Sequence, residues 1–264
     1  MTNSLGKALV TGASSGIGAV YAHRLANRGF DLILVARNEE RLSAIADRLR
    51  KETGRKVDVI AADLGASGDL RRIEHVLKTD EAITLLVNNA GFGGAAPLLE
   101  ADVDRMQQMI DLNVTALMRL TYAAVPGFVA RGGGSIINIA SIVAIAPELL
   151  NGVYGGTKAF VLAFSQSLKH ELAEKNIRIQ AVLPGATATE FWSVAGISVE
   201  HLPSEIVMST DDMVDAALVG FDQGELATIP ALEDVGLQQA YEAAREALKP
   251  NLSRSAAARR YQVK

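Results

Sequence analysis

The 264-residue chain has no cysteine, so disulfides and cysteine-ligated metals are excluded and the redox character of its compartment is left open. It has no basic surplus either. Its 26 Lys and Arg are outnumbered by 30 Asp and Glu, a net charge of −4, whereas a nucleic-acid surface shows an excess of positive charge. Long hydrophobic runs are missing: Ile136–Ala140 and Ile142–Pro147 fall far below the roughly 18 residues of a membrane span. The opening Met1–Lys7 is short and polar, without the profile of a secretory signal. A soluble, cytoplasmic protein is expected. His23, His75, His170 and His201 are scattered without ligand spacing, so they are expected at the surface or as caps, and no metal site is expected.

Apolar residues, by contrast, make up 49% of the chain, enough for a sizeable core without cross-links. Short apolar runs alternate with longer amphipathic segments. The runs are Ala8–Val10, Leu32–Val35, Val57–Ala61, Leu85–Val87, Ser135–Ile139, Ile177–Val182 and Leu226–Ile229. Several are almost continuously apolar, the pattern of parallel strands buried on both faces. Between them, Lys158–Glu174 repeats Phe160, Phe164, Leu168 and Leu172 on one helical face. Glu39–Glu52 does the same with Leu42, Ile45 and Leu49, and Asn38 is placed to cap it. Strands interleaved with helices predict right-handed βαβ units. The expected fold is α/β, a doubly wound parallel sheet of about seven strands in the order 3-2-1-4-5-6-7 with helices on both faces. No repeat, low-complexity tract or linker divides residues 1–264, so one domain is expected. The tail Asn251–Lys264 gathers Arg254, Arg259, Arg260 and Lys264; it reads as a solvated tail or final helix, or as a contact with a partner such as a neighbouring subunit.

Thr11-Gly12-Ala13-Ser14-Ser15-Gly16-Ile17-Gly18 follows the first strand and opens a helix. In that context Gly12 permits a tight turn, Gly16 lets the backbone approach a pyrophosphate, and Gly18 lets helix and strand pack closely. The exposed N–H groups at the helix start favour an anion. A glycine-rich turn without a ligand is the alternative for this motif taken alone. Its Gly-x-x-x-Gly-x-Gly spacing resembles the short-chain dehydrogenase/reductase family, in the branch with TGxxxGxG and YxxxK motifs, and the resemblance extends through most of the chain. It implies a Rossmann-type domain. Asp63-Leu64 follows the third strand, where the family places an aspartate near the adenine. Asn88-Asn89-Ala90-Gly91 follows the fourth and matches the family's NNAG. Pro184-Gly185 follows the sixth, with Thr187 and Thr189 after it, the latter where the family's threonine meets the nicotinamide carboxamide. All lie at carboxyl ends of successive strands, where open α/β sheets bind ligands.

The second strand distinguishes the two nicotinamide cofactors. An NAD site ends this strand with an acid that hydrogen-bonds the ribose 2′-hydroxyl and repels a 2′-phosphate. Here Ala36 takes that place and Arg37 follows, a guanidinium able to grip a phosphate with two parallel bonds. NADP(H) is the expected cofactor, unless Arg37 is simply a surface charge or stacks on adenine without selecting.

Tyr154-Gly155-Gly156-Thr157-Lys158 sets a tyrosine and a lysine four residues apart, on one helical face. A free phenol titrates near pH 10; a nearby lysine cation is expected to lower that, letting Tyr154 exchange a proton with a substrate oxygen. By itself such a pair is usually a surface pair. The resemblance makes it catalytic and gives Lys158 the nicotinamide ribose as well. Ser141 stands thirteen residues before Tyr154 and matches the family's serine that orients the substrate carbonyl; a turn or cap is the bland reading. Asn113 matches an asparagine that disturbs the family's fourth helix and helps hold a water leading to the lysine; an ordinary buried polar residue is its alternative.

The function implied is hydride transfer between nicotinamide and a ketone, aldehyde or alcohol. Epimerisation or dehydration would bring a different glycine spacing and an extended C-terminal domain. A non-enzymatic NADP-sensing or scaffold protein would typically lose the tyrosine or lysine. Substrate choice falls to a segment at about 190–210, where Phe191, Trp192 and Ile197, with Phe92, Leu149 and Leu150, could line an apolar pocket or simply pack. Glycine there, Gly196, is consistent with a mobile lid. Polar sugar-like substrates and apolar ketones both fit, with a lean toward the latter. The ending Gly224–Pro230 departs from the family's glycine-ended turn. By analogy, Asp102–Val129 and Gly152–Glu174 are the helices through which the chain would pair as a homodimer or homotetramer.

Overall fold

A computed structural model describes residues 5–195 and 202–262. The chain falls into two compact units, Met1–Pro230 and Ala231–Lys264. The first holds a seven-stranded sheet in the order β3-β2-β1-β4-β5-β6-β7. Its strands are β1 (Lys7–Thr11), β2 (Asp31–Ala36), β3 (Val57–Ala61), β4 (Ile83–Asn88), β5 (Gly134–Ile139), β6 (Ile177–Val182) and β7 (Ala227–Thr228). Each neighbouring pair is parallel.

Successive strand residues point to opposite faces, and both faces are covered. Ala8 and Val10 join Leu32, Leu34, Leu85 and Val87 in one core, with Tyr21 and Leu25 of α1 (Gly16–Asn27), Leu42 and Leu49 of α2 (Glu39–Thr53), and Met213 and Leu218 of a later helix, Thr210–Gln223. Leu9, Ile33, Leu86 and Ile136 face the other core, against Leu70 and Ile73 of α3 (Ser67–Thr79) and a helix at Leu117–Ala130. The expected apolar face of α2 is seen, and the Asn38 side chain caps it by accepting from the Arg41 N–H at 2.9 Å.

Two sequence expectations need correction. The seventh strand has only two ladder residues, Ala227 and Thr228, paired with Ala181 and Val182 of β6. The long helix α6 (Gly152–Glu171) buries Tyr154, Lys158, Val161, Leu162, Ser165 and Leu168, a face that shares Leu168 with the Phe160–Phe164–Leu168–Leu172 stripe but is rotated from its other members. Phe160 and Phe164 are half-buried, and Phe164 stacks on the exposed ring of Tyr122. The cause is polar partnering. Asn88 Nδ2 donates to Asn138 Oδ1 at 2.9 Å and to Thr121 Oγ1 at 3.1 Å, while Asn138 Nδ2 donates to Ser165 Oγ at 3.0 Å. This buried ladder joins β4 and β5 to the helices on their flank, so polar residues occupy positions that a hydrophobic pattern assigns to solvent.

The Asp102–Val129 segment is two α-helices, α4 (Val103–Ile110) and α5 (Leu117–Ala130), joined by a π-helical turn at Asp111–Ala116. Beyond α6 the described residues include the α-helices α7 (Phe191–Ala195), α8 (Thr210–Gln223) and α9 (Val235–Leu248). The second unit contains α9, none of whose residues is buried, and an exposed tail with Arg254, Arg259 and Arg260. Lys264 lies outside the described residues. Among those described, no helix is long and apolar enough to cross a membrane.

Candidate active site

The site is assembled at the carboxyl ends of β1 to β6. After β1 the backbone turns through Gly12 at φ +66°, a left-handed conformation that side chains disfavour. A Cβ on Gly18 would overlap the Gly12 carbonyl, which accounts for the third glycine. Asn89 fastens this turn to β4: its Nδ2 donates to the Thr11 and Gly12 carbonyls at 2.9 and 3.2 Å. Thr11 Oγ1 accepts from the N–H groups of Asn89 and Ala90 at 2.9 and 3.0 Å. Ser15 occupies the α1 N-cap position without a side-chain capping bond, so the first N–H groups of α1 are not capped by it. Ser14, Gly16 and Ile17 are half-buried around them.

Arg37 is exposed immediately after the end of β2. Asp63 lies beyond β3, where its Oδ1 accepts from the Gly65 N–H at 2.9 Å, and Leu64 beside it is buried. Gly91 follows β4 next to Asn113: a Cβ there would come within 2.8 Å of Asn113 Oδ1. Pro184 and Thr187 are buried after β6, Gly185 lies between them, and Thr189 Oγ1 accepts from the Phe191 N–H at 3.3 Å.

Asn113 sits in the π turn, buried, and bonds reciprocally with Phe92: the Phe92 N–H donates to its Oδ1 at 3.1 Å and its Nδ2 donates to the Phe92 carbonyl at 2.9 Å. Its Nδ2 also reaches Thr157 Oγ1 at 3.2 Å. The expected local disturbance of the helix is present, and π turns often mark functional positions. Ser141 caps a short 3₁₀ turn, accepting from the Val143 N–H at 3.4 Å, and its hydroxyl donates to the Pro184 carbonyl at 3.4 Å. It therefore fills the structural role of a cap beside Tyr154, whose ionised form it favours.

Tyr154 and Lys158 are both buried in the first turns of α6. Lys158 Nζ donates to the Ile139 carbonyl at 2.8 Å and lies 5.8 Å from the centroid of the Tyr154 ring. Burial pushes the Lys158 ammonium down to about 8. The phenol departs from the sequence expectation of a lowered pKa. Burial pushes Tyr154 above its ordinary value, and the Ser141 hydrogen bond only partly opposes this. The ammonium is directed at Ile139, so desolvation outweighs its attraction for a phenolate.

Sequence reasoning missed two anchors. Asn151 Oδ1 caps α6 by accepting from the Val153 N–H at 2.8 Å, and its Nδ2 donates to the Ala96 carbonyl at 2.6 Å. Thr157 donates to the Tyr154 carbonyl at 2.8 Å while accepting from Asn113. The Asn before an apolar helical start was a readable capping signal; the Thr157 contact was not.

An apolar cluster surrounds Tyr154: Met106, Met109 and Val143, with Phe92, Leu150 and Phe191 packed against it. Of the expected pocket residues, Leu149 is 57% exposed and outside this cluster, and Trp192 is buried with its Nε1 donating to the Thr187 carbonyl at 2.9 Å. Gly196, Ile197 and His201 lie outside the described residues. Among those described, no three His, Asp or Glu side chains meet as a metal site.

A model of the short chain dehydrogenase family matches residues 6–196. The chain belongs to this family. As a short-chain dehydrogenase it is an oxidoreductase, and two solved relatives cover nearly all of its length. A short-chain dehydrogenase from Sphingobium yanoikuyae in complex with NADPH is 48% identical, with a TM-score of 0.93 over 96% of this chain and 98% of that one. The bulky-bulky ketone specific alcohol dehydrogenase from Comamonas testosteroni is 44% identical, with a TM-score of 0.90 over 98% and 99%. A probable NADP-dependent dehydrogenase of Haemophilus influenzae is 38% identical over 190 residues, 71% of this chain and 74% of the relative.

Proposed function

We propose that this short-chain dehydrogenase uses NADP(H) to interconvert an apolar ketone or aldehyde with its alcohol, with Tyr154 as the proton-transferring group. The observation that carries the reading is the meeting of Tyr154, Ser141 and Lys158 beside an apolar cluster at the sheet's carboxyl end. A dinucleotide fits the residues present. At Gly12 and Gly18 a Cβ would clash with Asn89 and the Gly12 carbonyl, the start of α1 offers N–H groups to a pyrophosphate, and Ala36 takes the place of the acid that would repel a 2′-phosphate, with Arg37 following. The NADPH complex of the Sphingobium relative supports the same choice.

When bound, the nicotinamide supplies or accepts the hydride. The protein's own part is to hold the substrate oxygen and move its proton. With the Ser141 hydroxyl turned from the Pro184 carbonyl to the substrate, Ser141 and the Tyr154 phenol are two donors that stabilise the negative charge developing on a reduced carbonyl oxygen. A phenol kept protonated by burial is suited to giving up its proton there. Lys158 carries positive charge beneath it, and Asn113 with Thr157 fixes the helical turn that bears both. Phe92, Leu150 and Phe191 exclude water and favour an apolar substituent, in keeping with the bulky ketone preference named for the Comamonas relative.

Tyr154→Phe is expected to abolish ketone-dependent NADPH oxidation while NADPH fluorescence titration still shows binding; a variant keeping most of its activity would refute the assignment. Ala36→Asp with Arg37→Ala is expected to shift preference toward NADH, and an unchanged preference would remove Arg37 from the reading. We also assign self-association to α5 and α6, whose Tyr122, Phe164 and Phe160 rings form a stacked, partly exposed row. Light scattering is expected to report a dimer or tetramer, and a monomer would overturn this.

A further inference from the structure

Thr189, Glu190, Phe191 and Trp192 form a short strap that crosses the site. In the sheet order, the end of β6 and helix α2 lie on opposite sides of the β1–β4 switch point, where a doubly wound sheet opens its ligand crevice. Nevertheless, Arg41 in the first turn of α2 donates from Nη1 to both carboxylate oxygens of Glu190, at 2.9 and 3.0 Å, across 149 positions of sequence. The ion pair thus closes over the crevice from bank to bank. Thr189 passes the glycine turn on the way, since a Cβ on Gly16 would lie 3.2 Å from its Cγ2.

The other side of the strap reaches the substrate pocket. The Phe191 ring stands 5.5 Å from that of Tyr154 and fills the space beside Gly93, where a Cβ would overlap it. Trp192 meets Phe191 edge-on at 5.4 Å and is tethered through Nε1 to the Thr187 carbonyl. Through these contacts, lifting the strap off the cofactor groove also lifts the pocket wall from Tyr154.

We infer that the Arg41–Glu190 ion pair is a latch that retains the cofactor and holds the Phe191 wall against Tyr154. This rests on the cofactor reading above. Arg41 and Glu190 are positioning residues. Their side chains are 53% and 59% exposed, so the latch is weak and screened by salt, as suits a contact that opens in each catalytic cycle.

Trp192 is the chain's only tryptophan, so its fluorescence reports on the strap without any cofactor. Acrylamide quenching of Trp192 is expected to rise in Glu190→Gln and in Arg41→Gln, no further in the double variant, and to return toward the original level when the charges are exchanged (Glu190→Arg with Arg41→Glu). In stopped flow, each single variant should release NADPH and NADH about two- to fivefold faster, and added KCl should accelerate release more in the unaltered protein than in the variants. Unchanged quenching, or additive effects of the two substitutions, would overturn the latch. Loss confined to NADPH at Arg41, with no effect at Glu190, would overturn it too and make Arg41 a phosphate contact. Failure of the unaltered protein to bind NADPH would remove the cofactor role, whereas binding with unchanged release would remove the latch alone.

Discussion

Tyr21, in the middle of α1, and Tyr154, at the start of α6, are both buried, and burial pushes both phenols above their ordinary pKa. Their surroundings differ. The Tyr21 hydroxyl has no hydrogen-bond partner among the described residues and lies in the core between α1, α8 and the sheet. Tyr154 has Ser141 beside its phenol, Lys158 beneath its ring and an aromatic wall next to it. A raised pKa therefore does not identify a working acid. What separates the two is position: one phenol is sealed in the core of a helix–sheet interface, while the other stands at the carboxyl end of the sheet beside Ser141 and Lys158.

Replacing each tyrosine by Phe breaks the comparison most sharply. Tyr154→Phe should lower ketone reduction by about 10²–10⁴-fold, the range for losing a positioned acid, whereas Tyr21→Phe should leave the rate unchanged in the same assay. Equal losses would mean that the effect at Tyr154 does not come from its place beside Ser141 and Lys158.

The pH dependence of stability sharpens the contrast with the buried lysine. Lys158 releases its proton near pH 8 in the folded chain and at 10.5 as a free side chain. Between those values the unfolded chain binds more protons, so stability rises with pH, by about 2–3 kcal/mol over pH 8 to 10 at 1.36 kcal/mol per unit. Above about pH 10 the unfolded tyrosines ionise while Tyr21 and Tyr154 stay protonated, which reverses the slope. Urea titrations of Lys158→Met should lack the rise; a variant that keeps it would locate the effect elsewhere.

The smallest effect concerns Tyr21 again. Removing an unpaired buried hydroxyl should stabilise the fold by about 1 kcal/mol, seen as a higher urea midpoint. A loss of stability instead would indicate a partner for the hydroxyl that the described residues do not include.

Much of the fold was legible because the signals are local. The strands are continuous apolar runs, and the glycine turn, Asn38 cap and Tyr154–Lys158 spacing each lie within a few residues. The buried face of α6 was not legible, because Lys158 and Ser165 are buried through polar partners on other elements. The direction of the Tyr154 shift was hidden for a similar reason: spacing shows that a lysine is near, but not that its ammonium is directed at Ile139. The Arg41–Glu190 pair joins distant segments and leaves no mark in either.

The π turn at Asp111–Ala116 works as a keyway in the long α4–α5 segment. Each residue of an α-helix advances the side-chain direction by about 100°, and the wider turn changes the phase between the two helices it joins. Deleting one residue there would restore a regular helix and rotate everything beyond it. Either Asn113 would swing away from Phe92 and Thr157, or Leu120, Thr121 and Phe128 would leave the sheet they now cover. The active-site amide and the core packing are thus indexed to one another by a single irregular turn.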